Sequence, residues 1–275
     1  MKMDEETEFA ILNIDKPSGP TSFDIAEKVG RMVGARKFSH FGTLDPKVTG
    51  VLPIALNRAC KLTGFFIHHD KTYVGIMRMH GDIEMEKIQK VINKKFIGKI
   101  RQTPPVKSRV KREEREREIY SFDLLEQDGK DILFGVKCEG GTYIRKLIDD
   151  LGTELGIGAH MLELRRTQAG IFSENDKNFV NLYELEKLVK ENKLGEVLIP
   201  AEEALKKVMP TAEVKKDDLK HILTGKPIEK KDLIKEIKLK EREEVAVFFG
   251  KTFIGVYEKL GEILKPKFVM QPIKG

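Results

Sequence analysis

The stretch from Tyr120 to Gly156 constrains the fold most, because its apolar residues change period once, at a definite point. Tyr120, Phe122 and Leu124 alternate with polar neighbours, and so do Ile132, Phe134, Val136 and Cys138. Period-two alternation is the pattern of a half-buried strand. Asp128-Gly129 lies between the two runs and is a strong turn signal, so the spacing predicts an antiparallel hairpin. Directly afterwards Ile144, Leu147, Ile148, Leu151 and Leu155 recur at helical spacing and stop at Gly156, which predicts an amphipathic helix packed by one face.

Elsewhere strand-type and helix-type runs follow one another without a regular alternation. Residues 9–14 form a short apolar run ending near Pro17 and Gly19, a buried strand followed by a loop. Thr21 or Ser22 can cap a helix carrying Ile25, Val29, Met32 and Val33 on one face, with Gly34 at its expected stop. Residues 35–50 contain Gly42, Pro46 and Gly50 among polar residues and read as a structured loop, a common seat for catalytic groups. A strand is predicted over 72–79, a helix over Met85, Ile88, Val91 and Ile92 that stops near Gly98, and a further helix over 181–192. A doubly wound parallel sheet would show steady strand-helix alternation. The expected class is instead α+β, a mixed, largely antiparallel sheet with flanking helices.

The chain has 275 residues, 40% of them hydrophobic, which is long for one unit and comfortable for two. After residue 206 short β-type runs appear at 245–249 and 252–257, joined through Gly250-Lys251, so the expected division is 1–206 and a small β-rich domain over 207–275. Residues 207–275 carry 16 Lys/Arg against 11 Asp/Glu, a surplus of five within a total net charge of +6. Such a surplus can attract phosphate, but a Lys/Glu-rich surface that is merely solvated or adapted to heat is the commoner meaning of this composition.

Several functions are disfavoured at once. No apolar run is long enough for a membrane span, and Met1 to Glu8 are too acidic and polar for a signal peptide, so a cytoplasmic protein is expected. Cys60 and Cys138 cannot build a disulfide framework or a four-cysteine metal site. The chain has no P-loop, no Gly-x-Gly-x-x-Gly after a strand and no paired-histidine zinc motif, and the adjacent His68 and His69 lack further ligands at suitable spacing. Neither a metal nor a cofactor is expected.

The informative segment is Ser39-His40-Phe41-Gly42-Thr43-Leu44-Asp45-Pro46-Lys47-Val48-Thr49-Gly50. Alone, Asp45-Pro46 is an ordinary turn. Together with Asp15-Lys16-Pro17-Ser18-Gly19-Pro20-Thr21-Ser22, the whole string closely resembles two signature motifs of the pseudouridine synthase family that modifies the T loop of tRNA. The resemblance continues in the family's order through Lys71-Thr72-Tyr73, Gly140-Gly141-Thr142-Tyr143-Ile144-Arg145, Gly158-Ala159-His160-Met161 and Leu164-Arg165-Arg166-Thr167, covering about residues 9–200. Gln102-Thr103-Pro104-Pro105-Val106-Lys107-Ser108, followed by a charge-biased run to residue 118, resembles the archaeal and eukaryotic branch typified by dyskerin. From about residue 208 the chain resembles a PUA domain, a small RNA-binding β-barrel. Two departures stand out: Ser39 occupies a position where the family usually has Gly, and the branch's N-terminal extension is almost absent, so part of the PUA docking surface is not carried over.

The resemblance implies an RNA pseudouridine synthase acting on tRNA at T-loop position 55, on guide-directed sites in rRNA as the catalytic subunit of a box H/ACA ribonucleoprotein, or on both. Its implied partners are substrate RNA, a box H/ACA guide RNA and small accessory proteins. Asp45 is the implied catalytic carboxylate, as nucleophile or as counter-charge to a ribose cation. Arg165 is expected to pair with Asp45, and Tyr73 to stack on the target uracil and help remove the C5 proton. His40, Lys16, Thr43, Tyr143 and Arg145 are expected at the RNA, with Lys16 also supporting the loop. The rivals are a non-catalytic RNA-binding protein that kept the fold, and a hydrolytic N-glycosidase.

Overall fold

In the computed structural model, which describes residues 6–103 and 113–270, the first apolar run becomes a buried strand, β1 (Ala10–Lys16). Helix α1 (Ser22–Met32) follows, opened by Thr21, whose hydroxyl accepts from the Asp24 amide while the Asp24 carboxylate accepts from the Thr21 amide. The segment read as one loop holds a short strand, β2 (Phe38–His40), paired with β3 (Thr49–Leu56), so the true loop is 41–48. Then come β4 (Lys71–Met79), α2 (Met85–Lys95), β5 (Gly98–Gln102), β6 (Arg115–Asp128), β7 (Asp131–Cys138) and α3 (Ile144–Glu154). Last in this unit are β8 (Ala159–Ala169), the two-residue strands β9 (Phe172–Ser173) and β10 (Phe179–Val180), and α4 (Leu182–Lys190).

The hairpin of β6 and β7 is present, but its turn is one residue later than the sequence signal implied. Asp128 pairs with Asp131, leaving Gly129 and Lys130 as the two turn residues. Residues 104–112, with the Pro104-Pro105 pair and half of the charge-biased run, lie outside the described residues.

Strands follow the order β10, β1, β3, β8, β4, β7, β6, β5 along the sheet. The contacts β1–β10 and β3–β8 are parallel, and the others on this path are antiparallel. This is the mixed, largely antiparallel α+β architecture expected. Ile25 and Val29 of α1, Ile88 and Ile92 of α2, and Leu147, Ile148 and Leu151 of α3 share one core with Met77, Phe122, Phe134 and Leu164 of the sheet. Burying each such side chain contributes about 1.5–3 kcal/mol. The loop 41–48 therefore stands on a stiff support, with β3, β8 and β4 side by side beneath it.

Contacts divide the chain into Met1–Ile199 and Pro200–Gly275. In the second unit α5 (Ala201–Val208) precedes β11 (Thr211–Glu213), α6 (Leu219–Leu223), β12 (Ile228–Glu229), β13 (Glu244–Phe249), β14 (Thr252–Leu260) and β15 (Ile263–Val269). Its curled sheet has the order β11, β13, β14, β15, β12. Phe249 pairs with Thr252, so Gly250-Lys251 is the two-residue loop the sequence predicted. Val214, Ile222, Val247, Ile254 and Tyr257 fill this unit's own core, and the Tyr257 hydroxyl donates to the Ile222 carbonyl at 3.2 Å.

Candidate active site

Loop 41–48 is pinned at both ends and exposed in the middle. Phe41 is buried and stacks on Phe66, with centroids 4.7 Å apart. The Leu44 amide donates to the Ser22 hydroxyl at 2.8 Å, and that hydroxyl donates to the Leu44 carbonyl at 2.9 Å. Leu44 and Val48 are buried, so Asp45, Pro46 and Lys47 between them project outward, closed as a turn by Val48 N–H to Asp45 C=O.

Beneath the turn lies Lys16. Its ammonium is buried and donates 2.9 Å bonds to the carbonyls of Pro17, Pro46 and Val48, which uses all three of its donors. Burial lowers its pKa and the nearby Asp45 charge opposes the shift. Lys16 thus holds the loop, as expected, but its placement among RNA-contacting residues is corrected: a side chain with no exposed surface cannot touch RNA.

The carboxylate of Asp45 is about half exposed and pairs with Arg145, the second residue of α3. The expected partner, Arg165, is elsewhere. Its guanidinium takes the Asp15 carboxylate in bidentate fashion at 2.9 and 3.1 Å and Glu174 at 2.8 Å, over the Phe179 ring. Strand geometry explains the correction. Adjacent residues on β8 point to opposite faces, and it is Arg166 that turns inward. Arg166 is buried and donates to the carbonyls of Val51 at 2.8 Å and Gly42 at 3.0 Å, reaching the start of the loop. Arg145 was expected at the RNA, and nothing in the sequence shows that the second residue of a helix, 100 positions later, is the cation for Asp45.

Tyr73 lies on β4 opposite Arg166 and Val136. It is only 8% exposed. Burial raises its pKa, the Arg166 guanidinium opposes this, and the Asp45 charge adds to it. At neutral pH it is a neutral phenol, which cannot accept the C5 proton without passing its own proton on.

His40, at the end of β2, is half-buried, with a buried Nδ1 that has no hydrogen-bond partner among the described residues. Burial and the Arg166 charge lower its pKa, so it is a neutral imidazole at neutral pH. Thr43 is exposed on the loop two residues before Asp45, and Tyr143 is the half-buried residue at the start of α3. The structure therefore gathers Asp45, Lys16, Thr43, Tyr73 and Arg145 around one loop and sends Arg165 to the carboxylates of Asp15 and Glu174. Both cysteines are pushed up by burial, Cys60 to about 11 and Cys138 to about 12, which keeps them as thiols.

One cation was missed. Lys71 is buried, donates to the Ile67 carbonyl at 2.6 Å and to that of His69, and is lowered from 10.5 to about 8 by burial and by Arg166. Lys16, Lys71 and Arg166 are all solvated by backbone carbonyls, and among the described residues no ion pair joins them to a carboxylate. Their charge favours anions at the mouth of the loop. Lys71 also gives a test by pH. Between pH 8 and 10.5 the folded chain has lost this proton while the unfolded chain keeps it, so this group's contribution to stability rises with pH. Urea unfolding of wild type and Lys71→Met at pH 7 and pH 10.5 should show wild type gaining roughly 3 kcal/mol on the variant across that interval. A pH-independent difference would contradict the buried ammonium.

Among the described residues no cluster of His, Cys, Asp and Glu could hold a metal ion, and no helix is long and apolar enough to cross a membrane. A family profile described as "TruB family pseudouridylate synthase (N terminal domain)" matches residues 30–144, and one described as "tRNA pseudouridylate synthase B C-terminal domain" matches 145–206. The chain belongs to the TruB family. Among TruB-family relatives, the "Probable tRNA pseudouridine synthase B" of Methanopyrus kandleri is 46% identical over 212 residues, covering 74% of this chain and 62% of its own length. The protein of the same name from Nanoarchaeum equitans is 45% identical, covering 72% and 58%. The match thus spans about six-tenths of these relatives. Among solved structures, a Cbf5-Nop10-Gar1 complex superposes with TM-score 0.87 at 33% identity over 98% of this chain and 87% of the other. An H/ACA ribonucleoprotein bound to a substrate RNA containing 2'-deoxyuridine gives 0.87 at 31% identity over 99% and 88%. This TruB-family core carries its exposed carboxylate in the first matched segment and its partner arginine at the start of the second.

Proposed function

We propose that this chain isomerises uridine to pseudouridine in RNA, both in the tRNA T loop at position 55 and at guide-directed rRNA sites as the catalytic subunit of a box H/ACA particle. The observation that carries this reading is an exposed carboxylate, Asp45, held by the Arg145 guanidinium near the buried ring of Tyr73. The names of its relatives support the tRNA activity, and the H/ACA complexes among its structural neighbours support the guided one, with guide RNA and small accessory proteins as partners.

In the reaction the bond from ribose C1' to uracil N1 breaks, the base turns, C5 bonds to C1', and the C5 proton moves to N1. Atoms balance with no oxidant, metal or nucleotide. Asp45 acts at C1', as nucleophile or as counter-charge to the sugar cation, and Arg145 fixes the carboxylate's direction. The target must leave its stack, at a cost of about a few kcal/mol, and Tyr73 gives the extruded ring a flat floor. His40 and Thr43 at the rim, with Tyr143, are the candidates for holding the displaced RNA. The curled sheet of the second unit and its five-charge surplus support an RNA-binding PUA domain over about 207–275. A cytoplasmic location fits this role.

The test is tritium release from C5-labelled uridine, with a tRNA transcript alone and with an rRNA fragment plus guide RNA and accessory proteins. Release from both substrates is expected, with pseudouridine and no free uracil as product. No release from either would refute the reading, and free uracil would make the chain an N-glycosidase.

A further inference from the structure

The Asp45–Arg145 pair cannot hold its own geometry. Both side chains are about half exposed, and an exposed ion pair contributes roughly 0–1 kcal/mol, too little to fix two mobile side chains. The position of Arg145 must therefore come from the backbone that carries it, the first turn of α3.

That turn lacks the usual fixing device. Tyr143 is the cap residue, and no side chain of the helix's own start bonds to the open amides. A side chain from 41 positions earlier takes that place. Gln102, the last residue of β5, is 3% exposed. Its Oε1 accepts from the Tyr143 amide at 3.0 Å, and its Nε2 donates to the Tyr143 carbonyl at 3.2 Å. The same carbonyl accepts the Leu147 amide at 3.0 Å, the bond that opens α3. One buried side-chain amide thus holds both the N–H and the C=O of the residue from which the helix starts. The chain enters α3 through Gly141, whose φ of +91° is a backbone conformation that side-chain-bearing residues rarely adopt.

We propose that Gln102 is a positioning residue for the reaction, fixing the start of α3 so that Arg145 meets the Asp45 carboxylate. This rests on the reading of Asp45 and Arg145 as the reaction centre. Gln102 touches neither substrate nor reacting atoms. Its effect on the chemical step passes through Arg145, so for that rate the two residues must be non-additive.

The experiment is a double-mutant cycle on the single-turnover rate of tritium release from tRNA. Q102L keeps the bulk and removes both bonds, and R145K keeps the charge and removes the fork. Displacing a catalytic group by about 1 Å can slow a reaction about 100-fold. Q102L is expected to slow the wild type by about that factor and to slow R145K less than about threefold. Equal slowing in both backgrounds, or no slowing in wild type, overturns the proposal. Should Q102L unfold, Q102M serves in the same cycle, since it matches glutamine in length and also lacks both bonds. A crystal structure of the variant gives a readout without turnover. Arg145 displaced from Asp45 supports the role and an unchanged pair overturns it, even if the wild type releases no tritium and the reading of function itself fails.

Discussion

Asp45→Asn is expected to lower tritium release from C5-labelled uridine by roughly four orders of magnitude or more, while RNA affinity stays within about threefold and the melting temperature hardly moves. The substitution keeps the size of the side chain and removes its charge. Both proposed roles at C1' need that charge, because an amide is neither a competent nucleophile nor a counter-ion for a ribose cation. Stability should be insensitive because the loop is held from below, by Ser22, Lys16 and Arg166 acting on backbone groups at Leu44, Pro46, Val48 and Gly42. The carboxylate's ion pair with Arg145 is half exposed and contributes little. Affinity should persist because Lys16, Lys71 and Arg166 keep their positive charge behind the loop. Rate, stability and binding are read on the same sample. Retained turnover would remove Asp45 from the chemistry, and a non-catalytic RNA-binding protein would show no release in wild type either.

The framework of this fold was legible because it is written in local periodicity. The β6–β7 hairpin, α1, α2, α3 and the β13–β14 hairpin follow from spacing within windows of ten to twenty residues. What was not legible depends on pairing across the sheet. The sequence offers Arg145, Arg165 and Arg166 as equivalent cations near motif residues. Only the parallel register of β3 on β8, with Thr49 opposite Arg165 and Gly50 opposite Arg166, decides which guanidinium faces Asp15 and which the loop. A slip of one residue would exchange the two faces. Lys71 and Gln102 were similarly hidden. Lysine and glutamine usually lie at the surface; Lys71 is buried against the carbonyls of the irregular turn just before it, and Gln102 against the backbone of Tyr143, 41 positions later. The short strand β2 escaped because three residues carry too little alternation to be seen.

Gly50→Ala should be the most damaging of the small substitutions, because Gly50 is where β1, β3 and β8 cross. It pairs with Lys16 on one side and Arg166 on the other. Its φ is +96°, a region that side-chain-bearing residues rarely adopt, and an added methyl would lie 2.2 Å from the Arg166 carbonyl oxygen and 3.0 Å from Cγ of Arg165. The first contact is backbone, so no rotamer change relieves it. β3 must separate from β8, and with it would move the two buried cations that hold loop 41–48 from opposite ends. A loss of about 3 kcal/mol or more is expected, lowering the melting temperature by roughly 10 °C for a unit of this size. Gly64→Ala is the matched control, since the added methyl there meets nothing within 4 Å and the helix Thr63–Phe66 tolerates alanine. Calorimetry on both variants separates the local clash from a general effect of replacing glycine. Equal melting temperatures would mean that β3 and β8 do not meet in this register, and the argument that sends Arg166 to the loop and Arg165 to Asp15 would fall with it.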